Sequence, residues 1–287
     1  MAHVSLAHDP KKVFSMSLSR LALVLASVIA AKSVDAHEFW LDATSYLVEP
    51  GQKMSVNLRN GEIFEGIKLA YFPNRTTRFD LSFEGVVVPV QARMGDTPAL
   101  TMLSPPRDGL LTVVHEAAPA RVIYTEWEKF VGFTEHKDFA QVSEEHAAAG
   151  LDQDRVVESY TRHSKALIAV GDGNGSDAPM GLETELVALT NPYTLAPAEE
   201  MAVALTYEGA PRVDVQVEVY ERDAADAVTV TKLRTDAEGI VRFPVTPGLT
   251  YLVDSVVIRD APDTGGDPDA PLYETLWASL TFAVPAE

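Results

Sequence analysis

Short runs of alternating apolar and polar residues, separated by Gly, Pro and Asn, recur along this chain from Thr44 onward. Met54, Val56 and Leu58 alternate with Ser55, Asn57 and Arg59, and Val213, Val215, Val217 and Val219 alternate with Asp214, Gln216, Glu218 and Tyr220. A period of two with one apolar face is the signature of a half-buried strand. Further runs of this kind occupy 67–72, 79–83, 86–90, 110–115, 121–124, 166–170, 185–189, 228–233, 240–243, 250–258 and 277–284. Many short strands with frequent turns predict an all-β fold built from sandwiches.

An internal repeat sets the expected organisation. Tyr46, Pro50, Met54, Val56 and Leu58 reappear with the same spacing as Tyr193, Pro197, Met201, Val203 and Leu205. Both segments read as a turn feeding an alternating strand, so the expectation is two similar sandwiches in tandem, over residues 37–175 and 183–287. In the second, Asp236-Ala237-Glu238-Gly239 reads as a hairpin turn, and Pro247-Gly248 marks the next reversal. A helical segment is expected over about 127–162: one or two helices between Trp127 and Leu151, ended by Gly150, then a further turn or two from Arg155 to Arg162. The Gly- and Asp-rich stretch from Gly171 to Gly181 reads as an exposed loop near the boundary.

The first 36 residues carry an address. Basic Lys11, Lys12 and Arg20 precede an apolar run from Leu21 to Ala31 and a short polar stretch ending Val34-Asp35-Ala36, the order of a cleaved secretory signal peptide. The run is shorter than the about 20 residues a bilayer span needs. Met16 is an alternative start to Met1. Cleavage after Ala36 removes four basic and two acidic residues, leaving 19 basic against 40 acidic ones, a net charge of −21. Such a balance argues against nucleic acid as a partner, since that affinity comes from Lys and Arg on phosphates. The absence of Cys excludes disulfides, thiolate ligands and thiol nucleophiles.

Cleavage there would also make His37 the first residue. An N-terminal His offers a free amine and an imidazole together, enough to chelate a divalent transition metal with one additional His. The plainer reading is a His that merely succeeds a processing site, and both stand at this level. The remaining histidines of the mature chain are His115, His136, His146 and His163, and none are spaced i, i+4. His115 ends a predicted strand and His163 begins one. His136 and His146 lie among Glu135, Glu144 and Glu145 and read as solvated. Asp172, Asn174, Ser176 and Glu183 match the spacing of a calcium loop, but Asp177 stands where that loop needs Gly. No Gly-x-Ser-x-Gly elbow, phosphate loop or dinucleotide fingerprint is present, and no enzymatic activity is expected.

Several segments together resemble a bacterial exported family described as the periplasmic component of cobalt or nickel uptake systems. They are Ala36-His37-Glu38-Phe39-Trp40-Leu41, Glu128-Lys129-Phe130, Tyr160-Thr161-Arg162-His163-Ser164-Lys165-Ala166-Leu167, Asn191-Pro192-Tyr193 and Thr235-Asp236-Ala237-Glu238-Gly239. The resemblance covers nearly the whole mature chain. It implies tandem immunoglobulin-like or transthyretin-like sandwiches, the second similar to carboxypeptidase-regulatory domains. It also implies a soluble periplasmic protein that holds Ni²⁺ or Co²⁺ for a membrane transporter component. Cu²⁺ and Zn²⁺ are further candidates on ligand chemistry. The expected metal ligands are His37, His115 and His163. The rival expectation is a metal-independent structural or interaction module of the envelope; a third is a copper enzyme using His37.

Overall fold

The computed structural model describes Met1 and residues 37–196, 198–262, 267 and 269–286. The expected signal peptide and Pro197 of the repeat lie outside the described residues. Along the chain the strands are β1 (Glu38–Ala43), β2 (Leu47–Val48), β3 (Lys53–Glu62), β4 (Glu65–Leu69), β5 (Thr76–Phe83) and β6 (Val86–Pro89). Next come β7 (Leu100–Leu103), β8 (Gly109–Ala117) and β9 (Ala120–Tyr124), helices α1 (Trp127–His136) and α2 (Ala140–Ala148), and β10 (Val156–Val170). The remainder is β11 (Thr184–Ala188), β12 (Met201–Tyr207), β13 (Ala210–Pro211), β14 (Gln216–Arg222), β15 (Val228–Arg234), β16 (Ile240–Phe243), β17 (Thr250–Asp260) and β18 (Tyr273–Ala283). The fold is all-β, of sandwich type, with a small helical insertion.

A ten-stranded sheet runs β15-β14-β17-β18-β10-β8-β5-β6, with β2 and β9 also paired to β10. Two four-stranded sheets cover it. In one, β3 pairs with β1, β4 and β7; in the other, β12 pairs with β11, β13 and β16. The repeat in the sequence thus falls on β3 and β12, the hub strands of equivalent small sheets. The first sandwich packs Leu41, Val56 and Leu58 against Leu111, Val113, Ala166 and Ile168. The second packs Val203 and Leu205 against Leu167, Val219, Val253 and Leu280. The two expected halves meet in the large sheet, where β10 pairs in parallel with β18 from Glu158↔Tyr273 to Ala166↔Thr281.

Strand β10 corrects the helix expected at 155–162. Residues 156–158 are buried on both faces, so the run lacks alternation, and its Val, Tyr and Thr favour the pleated conformation that four partner strands stabilise. Helix α1 buries Phe130 and Phe133 against Tyr124, Val256, Tyr273 and Trp277, which spreads the insertion over strands from both halves. The turn expected at Asp236 forms, with Gly239 at φ +74 and its amide donating to the Asp236 carbonyl at 3.0 Å, but it is not a hairpin: it carries the chain from β15 in the large sheet to β16, which pairs with β12.

Candidate functional site at the open end of the first sandwich

Strand periodicity builds the site. The inward residues of β1 are Ala43, Leu41 and Phe39, with His37 next in line at its head; on β3 they are Val56, Leu58, Asn60 and Glu62. On the facing sheet β8 presents Leu111, Val113, His115 and Ala117, and β10 presents Ile168, Ala166, Ser164, Arg162 and Tyr160. All four columns leave the apolar core at one level. There they enclose a cavity of about 420 Å³, its walls including Phe39, Leu58, Asn60, Phe72, Thr76, His115, Tyr160 and Arg162.

His115 is 1% exposed and sits between Phe39 and Phe79, each ring centroid 5.3 Å away. Its Nε2 lies 3.1 Å from Thr76 Oγ1, while Nδ1 has no hydrogen-bond partner. Burial pushes its pKa down to about 3, so the ring is neutral at physiological pH. Arg162 donates from Nη2 to the His37 carbonyl at 2.8 Å and stacks over Tyr160 at 4.4 Å, and its Nε–H has no acceptor. Burial lowers the Arg162 pKa, opposed by Tyr160, Glu158 and Asp254. Asn60, opposite Phe39 in the β1–β3 register, has an unpartnered buried Oδ1. His37 Nδ1 lies 3.1 Å from Glu62 Oε1, a cross-strand pair one step beyond Glu38↔Gly61 and two residues along each strand from Phe39 and Asn60 of the cavity wall.

His163 occupies the opposite face of β10. That face carries Lys165, which reaches Glu185 on β11, and Leu167, which joins the second core. The His163 Nδ1 is 3.3 Å from the Trp277 carbonyl, and burial lowers its pKa. Of the expected ligands, His37 and His115 therefore stand on the inward sides of facing sheets of the first sandwich, and His163 does not. Among the described residues, no three or more His, Asp or Glu side chains are grouped so as to hold a metal ion. Arg162, Asn60, Glu62 and Thr76 are not legible as site residues in the sequence; the usable signal is polar residues continuing apolar period-two columns.

His146 departs from its expected solvated position. It is 1% exposed, stacked on Trp127 at 5.0 Å, with Nδ1 2.9 Å from the Tyr273 hydroxyl and Nε2 3.0 Å from the Asp152 carbonyl. His136 is half exposed and pairs with Glu218 at 2.8 Å. Of the calcium-loop residues, Glu183 is engaged by Arg259 at 2.6 Å and Asp172 accepts from the Asn174 amide at 3.0 Å, while Asp177, at the Gly position, pairs with Lys165 at 2.7 Å.

Two lysines are buried in carboxylate cages. Lys137, just past α1, reaches Glu218 at 2.5 Å, Asp254 at 3.3 Å and Glu38 at 3.4 Å, with the Trp277 ring 4.9 Å away. It ties β1, β14 and β17 to the helices. Lys165 reaches Asp177, the Ala178 carbonyl and Glu185, while Glu185 accepts the amides of Met180, Gly181 and Leu182. The second cage fastens the 171–183 loop to the large sheet.

No helix among the described residues is long and apolar enough to cross a membrane. Among solved structures, the chain is similar to a tetra-tandem repeat in the extending region of a large adhesion protein. The identity is 14% and the TM-score 0.23, over 86% of this chain and 49% of the other. The chain thus spans about half the length of that structure. Among curated proteins none matches. The model of a domain of unknown function, DUF4198, matches residues 34–259, from before the head of β1 into β17, and the chain belongs to that family.

Proposed function

We propose that the chain is an exported periplasmic protein that captures a divalent transition metal, Ni²⁺ or Co²⁺, and passes it to an envelope transporter. Cleavage after Ala36 would give His37 a free amine beside its imidazole. The observation that carries this reading is the His37–Glu62 pair, 3.1 Å apart, two residues along β1 and β3 from Phe39 and Asn60 of a cavity wall that also holds His115. His115 is suited to ligation because burial keeps it neutral, and a ligating imidazole must be unprotonated. Thr76 at its Nε2 can orient the ring, the task that an oxygen acceptor performs behind metal-bound histidines. Arg162 stands deeper, against the His37 carbonyl, which favours the outer, Glu62 side of His37 for a cation. His163 has no part in this donor set. Nitrogen and carboxylate donors without thiolate suit Ni²⁺, Co²⁺, Cu²⁺ and Zn²⁺.

The test is calorimetric titration of these four ions into the chain beginning at His37. Beside it run a form with one extra N-terminal Ala, Glu62→Gln and His115→Gln. Stoichiometric binding that weakens at least tenfold in the extended form and in Glu62→Gln supports the reading. Equal binding by all four proteins, or none by any, overturns it in favour of a metal-independent envelope module.

A further inference from the structure

The cavity wall carries features that a metal on His37, Glu62 and His115 does not use. Besides His115, two of its residues hold buried polar atoms without a hydrogen-bond partner: Nε–H of Arg162 and Oδ1 of Asn60. Buried polar groups without partners are uncommon in folded proteins, so two on one cavity wall point to a ligand that pairs them. The charge of the wall is equally informative. The chain has 42 Asp+Glu against 23 Lys+Arg, yet the cavity is lined by two arginines, Arg75 and Arg162, and by no carboxylate. Among the described residues no carboxylate comes within ion-pair distance of Arg162, which donates instead to the His37 carbonyl. A buried guanidinium with an unpartnered Nε–H in a half-apolar pocket suits a carboxylate.

The other polar atoms narrow the class. Asn60 Oδ1 is an acceptor and requires a donor on the ligand near the carboxylate. Leu58, Leu69 and Phe72 supply an apolar wall for a side chain. The volume of about 420 Å³ lies in the range of small-molecule sites, about 300–1,000 Å³.

We propose that this cavity binds an apolar α-amino or α-hydroxy acid, its carboxylate on Arg162, its α-substituent donating to Asn60 and its side chain against Leu58, Leu69 and Phe72. The site stands on Arg162 and Asn60 and requires no metal.

The experiment is a calorimetric and thermal-shift titration of the full chain in excess EDTA with four probes. L-leucine and L-2-hydroxyisocaproate carry both recognised groups, 4-methylpentanoate lacks the α-donor, and L-leucinamide lacks the carboxylate. The first two should bind at least tenfold more tightly than the last two. Arg162→Gln should weaken the first two at least tenfold. Asn60→Leu, which removes the acceptor for the α-donor, should do the same and decides the matter if Arg162→Gln fails to fold, as read by circular dichroism. Binding of L-leucinamide as tight as that of L-leucine, unchanged affinity in Asn60→Leu, or no binding of any probe by the wild-type chain would overturn the proposal. Because EDTA removes metal throughout, these outcomes are independent of the titrations at His37.

Discussion

Replacing Lys137 by Met keeps the length of the side chain and deletes its charge, leaving three buried carboxylates without their shared cation. The lysine side chain is 4% exposed and those of its partners Glu38, Glu218 and Asp254 are 7%, 2% and 1% exposed. Two of the three carboxylates keep other partners. Glu218 retains His136 at 2.8 Å and Lys232 at 3.4 Å, and Glu38 retains the Tyr220 hydroxyl and the Ile63 amide, both at 3.1 Å. Asp254 is the weak point of the cage, since its Oδ1 is unpartnered even in the native arrangement. Removing one member of a buried pair costs about 3–5 kcal/mol. At about 2–4 °C per kcal/mol for a chain of this size, the melting temperature should fall by roughly 6–20 °C. Asp254 also sets the sign of the pH dependence. Burial raises its pKa from 3.8 to about 7, against the opposing effect of Lys137. A carboxyl raised in the folded state favours folding while protonated, and that contribution is lost as pH rises through the folded value. Without the lysine the value rises further, so Asp254 adds to the variant's deficit only where the native carboxyl is ionised, above pH 7. The deficit of Lys137→Met should therefore shrink by about 1 kcal/mol between pH 8.5 and pH 5. Urea and thermal unfolding followed by circular dichroism at both pH values measure it. Lys129→Met, which breaks an exposed pair with Glu126, is the control and should cost at most about 1 kcal/mol. A deficit below about 1 kcal/mol at pH 8.5, or one that grows on acidification, would refute the argument.

Other perturbations probe other parts of the fold. His115→Phe should remove an acid sensitivity: the native pKa of about 3 against an ordinary 6.5 gives stability present above pH 6.5 and lost as pH falls toward 3. Between pH 7 and pH 5 the wild-type chain should lose roughly 2 kcal/mol more than the variant, read from urea midpoints. Lys165→Met should cost about 3–5 kcal/mol and expose the 171–183 loop to limited proteolysis, with cleavage inside that loop as the diagnostic product. Gly239→Ala combines φ +74 with a Cβ only 2.9 Å from Pro211 Cβ and should lose roughly 1–3 kcal/mol. Gly51→Ala, at the same φ with nothing near, should lose no more than about 1–2 kcal/mol, and equal losses at both sites would show that the clash is relieved without cost.

A strand is most legible in the sequence where one face is apolar and the other is not. β12 alternates because Met201, Val203 and Leu205 pack while the residues between them meet a partly buried rim, and β14 alternates because Val217 and Val219 pack while Glu218 on its other face enters the buried Lys137 cage. β1 and the start of β10 are illegible for the opposite reason. All six residues of β1 are buried: Phe39 and Leu41 face the first core, while Trp40 packs on Phe64, Tyr220 and Leu252. A strand covered on both faces carries no alternation, and Glu38 and Asp42 within it are held by cations from distant segments, Lys137 at 3.4 Å and Arg222 at 3.1 Å. Long-range pairing of this kind has no local signature. The same holds for His146, whose acidic neighbours in sequence suggest solvent but whose helix turns it onto Trp127 and Tyr273.

The site shows why such a fold concentrates chemistry at its ends. A sandwich core stays dry only while facing columns remain apolar, and here four columns change character within one residue step of one another. His37, Asn60, His115 and Arg162 are far apart in sequence, yet each is the next inward residue, or next but one, after a core member of its own strand: Leu41 and Phe39, Leu58, Val113 and Ala166. No single one is unusual, since a strand end is where polar residues belong. What distinguishes them is coincidence of level, which gives three unpaired polar atoms a common space and places a cation-rich wall inside an acidic protein. Register creates that coincidence: a slip of one residue in β1 against β3 would turn His37 and Phe39 outward and bring Glu38 and Trp40 into the cavity. The pairing that fixes the fold is therefore the same pairing that assembles the site.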